Sequence, residues 1–131
     1  MKIGIDVGGT KTEGILIDNL GKELARNRIK TEKNYEGTIN GIISIVKKFE
    51  DDFGDIESIG IGMPGAVSSE TALVKNANSI WLNGNPFKKD LEKELNRKVN
   101  LANDANCFAL SEAVDGAGKG HTVVFGVIIG T

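Results

Sequence analysis

Isoleucine and valine alternate with small or polar residues at Ile3, Ile5 and Val7, the period of a strand with one buried face. Gly8-Gly9 then marks a turn, and Gly14 to Asp18 and Glu23 to Ile29 read as the next two strands of a meander. There the period changes. Tyr35, Ile39, Ile42, Ile43, Val46 and Phe49 recur mostly three or four apart, which predicts an amphipathic helix. Ile56 to Met63 predicts a strand, stopped by Pro64-Gly65. Residues 68 to 85 are polar and turn-rich. Asn85 is placed to cap a helix whose first residue is Pro86 and whose apolar stripe is Phe87, Leu91 and Leu95. Val99 and Leu101 predict another strand. A helix from about Ala105 carries Phe108, Ala109, Glu112 and Ala113, with Cys107 expected to be buried and Gly116 and Gly118 ending it. Residues 122 to 129 predict a last strand.

Three strands followed by alternating helices and strands imply an α/β fold with a mixed sheet: a three-strand meander, then parallel βαβ units. That layout resembles the ribonuclease-H-like, actin-like ATPase domain. The apolar run ends in Gly130-Thr131, and a buried strand running into such a turn normally introduces another element. The expectation is therefore a fragment, with residues 117 to 131 leading into a second lobe.

Composition removes several alternatives. At 131 residues and 40% apolar, the chain can bury a core without disulfides. A net charge of -2 offers no basic surplus for nucleic acid or an anionic membrane. A single cysteine, Cys107, excludes a disulfide framework and points to a reducing, cytoplasmic setting. An acid at position 6 interrupts any signal-peptide core, and no apolar run approaches the roughly 20 residues of a membrane span.

Candidate chemistry gathers at strand ends. Asp6-Val7-Gly8-Gly9-Thr10-Lys11-Thr12 follows the first strand. The two glycines permit positive φ and expose amides that can form an anion-binding nest. Thr10 and Thr12 add hydroxyls, Lys11 adds charge, and Asp6 can hold a metal through water. Neither the Walker nor the dinucleotide fingerprint is present. Alone, a Gly-Gly turn is an ordinary hairpin. Asn103-Asp104-Ala105-Asn106 lies at a strand-to-helix junction, where open α/β sheets bind ligands. A carboxylate there can take a proton from an attacking hydroxyl, although Asn and Asp also serve as plain helix caps. Gly62-Met63-Pro64-Gly65 ends another strand. The segment from Lys75 to Gly84, with Asn78 and Trp81, suits a carbohydrate as well as it suits a turn. His121 and Cys107 make no metal site.

These motifs, in this order and across the whole chain, resemble the ROK family of sugar kinases and sugar-responsive repressors. The resemblance implies that Asp6, Gly8, Gly9, Thr10, Lys11 and Thr12 form a first phosphate loop and that Gly130-Thr131 opens a second. It implies a sugar site drawn from Gly65, Asn78, Asn103 and Asp104, with Asp104 as catalytic base. It further implies ATP with Mg²⁺ near Asp6, and zinc bound only in a missing C-terminal part. Homodimers are implied by family analogy. The segment from Val74 to Gly84, with Ser111 to Gly116, resembles fructokinases. The implied reaction is phosphorylation of a hexose 6-hydroxyl, most simply fructose to fructose 6-phosphate. Kinases for N-acetylglucosamine, glucose or mannose are the alternatives. A repressor, for which only five residues precede Asp6, and a non-catalytic sugar-binding fragment are more distant ones.

Overall fold

The computed structural model describes residues 1–129; Gly130 and Thr131, expected to open a second phosphate loop, lie outside them. The opening alternation produces strand β1, Lys2–Val7, and the meander continues as β2, Lys11–Ile17, and β3, Glu23–Lys30. Helix α1, Tyr35–Phe53, starts where Asn34 is extended and its side chain accepts from the Gly37 amide. It stops at Gly54, whose φ of 87° suits only glycine well. Strand β4, Ser58–Met63, follows. The turn-rich stretch holds a small hairpin, β5 at Ala66–Val67 and β6 at Val74–Lys75, then a single 3₁₀ turn at Ile80–Leu82. Helix α2, Phe87–Leu95, strand β7, Asn100–Asn103, and helix α3, Asp104–Val114, complete the described elements.

The main sheet runs β3-β2-β1-β4-β7. β1 to β3 are antiparallel, while β1, β4 and β7 are parallel, as helical crossovers require. One face carries Ile3, Ile5, Val7, Leu16, Ile59, Ile61 and Met63 into a core shared with Ile42, Ile45, Val46 and Phe49 of α1 and Phe87 and Leu91 of α2. α1 packs directly on the β2 backbone: a Cβ at Gly14 would lie 2.3 Å from Ile45 Cγ2. Tyr35 donates its hydroxyl hydrogen to Asp90 at 2.7 Å, tying the start of α1 to α2, and burial pushes its own pKa well up.

Three expectations need correction. Residues 122–129 form no strand; the sheet ends at β7. The run touches α3 where Gly126 abuts the Phe108 ring, and Val124 lies against Gly118. Val123, Phe125, Val127, Ile128 and Ile129 stay exposed, so the hydrophobicity of the run finds little cover among the described residues. Cys107 is exposed, and no residue of α3 is fully buried, because the sheet face under α3 is otherwise open. Asn85 is not the cap of α2; its amide donates to the carbonyls of Trp81 and Asn83, and the helix begins one residue later, after Pro86.

The close approach of α1 to β2 has a direct consequence. Gly14→Val forces a branched side chain into Ile45 and Phe49, and should cost about 1–3 kcal/mol in urea unfolding by the usual penalty for overpacking.

Candidate active site

Register places the motifs together. Asp6 pairs with Gly62 across β1 and β4, and Met63 pairs with Asn103 across β4 and β7. The carboxyl ends of three parallel strands therefore form one row, the position where such sheets bind ligands. A cleft of about 340 Å³ opens beside it, lined by Gly8, Gly9 and Thr10 from the first turn and Asp104 from the last helix. Lys33, Pro64, Asn78, Ser79 and Trp81 complete its wall with Val7.

The first turn is tight, but not for the expected reason. Neither Gly8 nor Gly9 lies in the left-handed region. Gly8 is required by close approach: its amide donates to the Lys11 carbonyl at 3.0 Å, and a Cβ would stand 2.7 Å from that same oxygen. At Gly9 a Cβ would meet only Ser79 Oγ, at an ordinary 3.5 Å. Thr10 borders the cleft. Thr12 is buried, and its hydroxyl pairs with that of Thr31 at 2.8 Å. The Thr31 amide donates to the Thr10 carbonyl at 3.0 Å, so these bonds bind the turn to the segment that precedes α1. Lys11 is exposed on β2, opposite Lys30, and does not line the cleft.

Asp104 is the first residue of α3. Asn103 caps that helix by accepting from the Asn106 amide at 3.1 Å. Its amide nitrogen also donates to the Gly65 carbonyl at 2.8 Å. One N–H and one lone pair of Asn103 remain uncommitted. Gly65, at φ 78°, is pressed against residues 75–77, where a Cβ would fall 2.5 Å from the Lys75 carbonyl oxygen. Gly65 thus holds the wall, and its neighbour Pro64 faces the cleft. Asp104 accepts from the Ala105 amide at 2.8 Å and is otherwise exposed to the cleft.

Asp6 feels the charge of Asp104. Loss of hydration pushes the Asp6 carboxyl above its ordinary value, and the negative charges of Asp104 and Glu13 push the same way. Burial raises the Cys107 thiol, with Asp104 and Asp6 adding to it. Gly62 lies beside them: a Cβ there would stand in ordinary contact with Cys107 Sγ at 3.7 Å and the Asp104 backbone at 3.8 Å. Among the described residues no three His, Cys, Asp or Glu side chains converge as a metal cage.

The asparagines of the turn-rich segment divide. Asn76 takes a φ of 57°, and the Asn83 side chain bonds both the amide and the carbonyl of Ala77. Asn78 alone of these reaches the cleft, beside Trp81, whose indole N–H donates to the Thr38 hydroxyl at 3.0 Å. Pro64 and Ser79 fall within segments that the sequence singled out, whereas Lys33 carried no periodic or motif signal toward a site; only the tertiary fold brings it in.

Comparison with known proteins agrees with this fold. The model of the ROK family matches residues 2–131. An N-acetyl-D-glucosamine kinase of Haemophilus influenzae is 38% identical over 132 aligned positions, covering 100% of this chain and 43% of that protein. The chain thus spans less than half the length of that relative. A ROK glucokinase from Streptomyces griseus, solved with glucose and AMPPNP, superposes with a TM-score of 0.81 at 34% identity, over 92% of this chain and 38% of that one. A ROK hexokinase from Thermus thermophilus gives 0.75 at 30% identity, over 90% of this chain and 40% of that one. No described helix is long and apolar enough to cross a membrane.

Two outcomes follow from the site. Gly8→Ala should lose about 1–3 kcal/mol of stability as its Cβ breaks the turn, while Gly9→Ala should stay within about 0.5 kcal/mol, both by urea unfolding. Asp6→Asn should stabilise the chain at neutral pH, measured with chelator present. A carboxyl whose folded pKa is raised favours the folded state only at pH low enough to protonate it. The advantage of Asp6→Asn should therefore shrink as pH falls through the carboxylate range.

Proposed function

We propose, from the premise that the chain belongs to the ROK family, that the full-length protein transfers a phosphoryl group from ATP to the 6-hydroxyl of a hexose. The observation that carries this reading is the shared cleft: the Gly8–Thr10 turn and the Asp104 carboxylate line one cavity. A phosphate over the turn and a hydroxyl at Asp104 would then be neighbours, the arrangement that phosphoryl transfer needs. The S. griseus glucokinase, solved with a sugar and an ATP analogue, supports both ligands.

In this reading Asp104 accepts the proton of the attacking hydroxyl, a contribution of roughly 10²–10⁴-fold. Asn103 fixes Asp104 through the helix cap and offers its uncommitted donor and acceptor to a sugar hydroxyl. Asn78 supplies a further polar contact, and Trp81 an aromatic wall. Amides of the turn and the Thr10 hydroxyl hold phosphate oxygens, and Lys11, the next residue along on β2, adds charge from outside the cleft wall. Thr12 serves indirectly, through Thr31. The residues fit Mg²⁺: Asp6 would hold it through water, beside a second carboxylate whose repulsion a cation relieves. When bound, that ion supplies neutralisation of phosphate charge. The chain itself would be the N-terminal lobe, with the second phosphate loop, any zinc site and homodimer contacts in the remainder.

Fructose is the favoured acceptor, because the cleft wall at Asn78, Ser79 and Trp81 belongs to the segment that resembles fructokinases. A second reading, N-acetylglucosamine, is favoured by the name of the H. influenzae relative. Turnover of the full-length protein across a hexose panel decides between them: the highest kcat/KM should fall on fructose. Asp104→Asn should lower kcat by about 10²-fold or more while the sugar still binds. Near-normal turnover removes Asp104 from the base role, and no turnover on any hexose removes the kinase reading.

A further inference from the structure

The cleft poses an electrostatic problem. It brings one carboxylate, Asp104, to its wall, with a second, Asp6, close enough to feel its charge. A transferring phosphoryl group adds further negative charge at the same place. Stabilising that charge requires fixed positive groups aimed at it. Among the described residues that line the cleft, Lys33 is the only cation. The sequence offers no reason to single it out: it is an exposed lysine just before a helix, ordinarily a solvated charge.

The fold gives it a defined place. The Thr31 amide is bonded to the Thr10 carbonyl, and the Thr31 hydroxyl to Thr12. Thr38 donates its hydroxyl hydrogen within reach of both the Glu32 and Asn34 carbonyls, and Asn34 caps α1. Lys33 therefore sits on a backbone clamped on both sides, to the phosphate turn behind it and to the first turn of α1 ahead. No ion pair to Lys33 is formed among the described residues. Its ammonium group is on a long flexible stem, able to follow a group passing between donor and acceptor. Thr10 and Lys33 also border a second hollow, with Lys30, Thr31, Glu32 and Asn34, so the segment forms the partition between two openings.

We propose that Lys33 binds the phosphoryl group in transfer, supplying a positive charge that no other side chain lining this cleft provides. The inference rests on the kinase reading for its chemistry but not for its first measurement. The probe is tripolyphosphate, titrated with Mg²⁺ into the full-length protein by calorimetry. Lys33→Gln should weaken binding about 10-fold or more, and Lys33→Arg should restore most of it. In steady-state kinetics on the best hexose, Lys33→Gln should lower kcat about 10²-fold, comparable to losing one oxyanion donor, with the KM for hexose little changed and Lys33→Arg recovering much of the rate. Unchanged melting temperatures in both variants would separate this from a folding defect. Equal tripolyphosphate affinity in Lys33→Gln and the parent, or a parent that binds none, overturns the proposal. A parent that binds tripolyphosphate through Lys33 yet phosphorylates no hexose upholds it and sinks the kinase reading instead.

Discussion

The register of three parallel strands is the constraint on which the site depends. β1, β4 and β7 end in one row, so Asp6, Gly62 and Asn103 become neighbours although far apart in sequence. A slip of one residue in either pairing would turn Asp6 or Asn103 to the other face of the sheet. That register is held by the buried alternation of Ile3, Ile5 and Val7 against Ile59, Ile61 and Met63, which pins one face to α1 and α2. The hydrophobic core and the geometry of the cleft are thus one requirement, not two.

Small residues then let the parts approach. Gly14 admits α1 to the back of the sheet, and Gly65 admits the loop that carries Asn78. Polar side chains that resemble ligand groups mostly do internal work. Thr12 and Thr31 lock the phosphate turn to the next segment, Asn103 locks the start of α3 to the Gly65 loop, and Asn83 closes the loop on itself. What is left exposed to the cleft is a short set: the turn, Asp104, Asn78, Trp81 and Lys33.

Much of this was legible in the sequence, because it rests on local periodicity. The alternation at Ile3 to Val7 and the three-and-four spacing from Tyr35 to Phe49 read directly as β1 and α1, and their order implied the mixed sheet. The pairing of the first turn with Asp104 was also expected. Other features depend on tertiary contacts that leave no local mark. The run at Val123 to Ile129 looks like a strand, yet it joins no ladder and stays largely exposed. Gly8 is explained by a carbonyl three residues on, not by its own φ. Thr12 looks like a ligand until Thr31, 19 residues away, takes its hydroxyl. Lys33 has no pattern at all, and only the fold brings it to the cleft.

The most direct test is a crystal structure of the full-length protein with a hexose and a non-hydrolysable ATP analogue. The account predicts the sugar 6-hydroxyl within hydrogen-bond distance of the Asp104 carboxylate, and the terminal phosphate over the amides of Gly8 to Thr10. A nucleotide seated away from that turn, or a sugar whose nearest carboxylate is not Asp104, would contradict it.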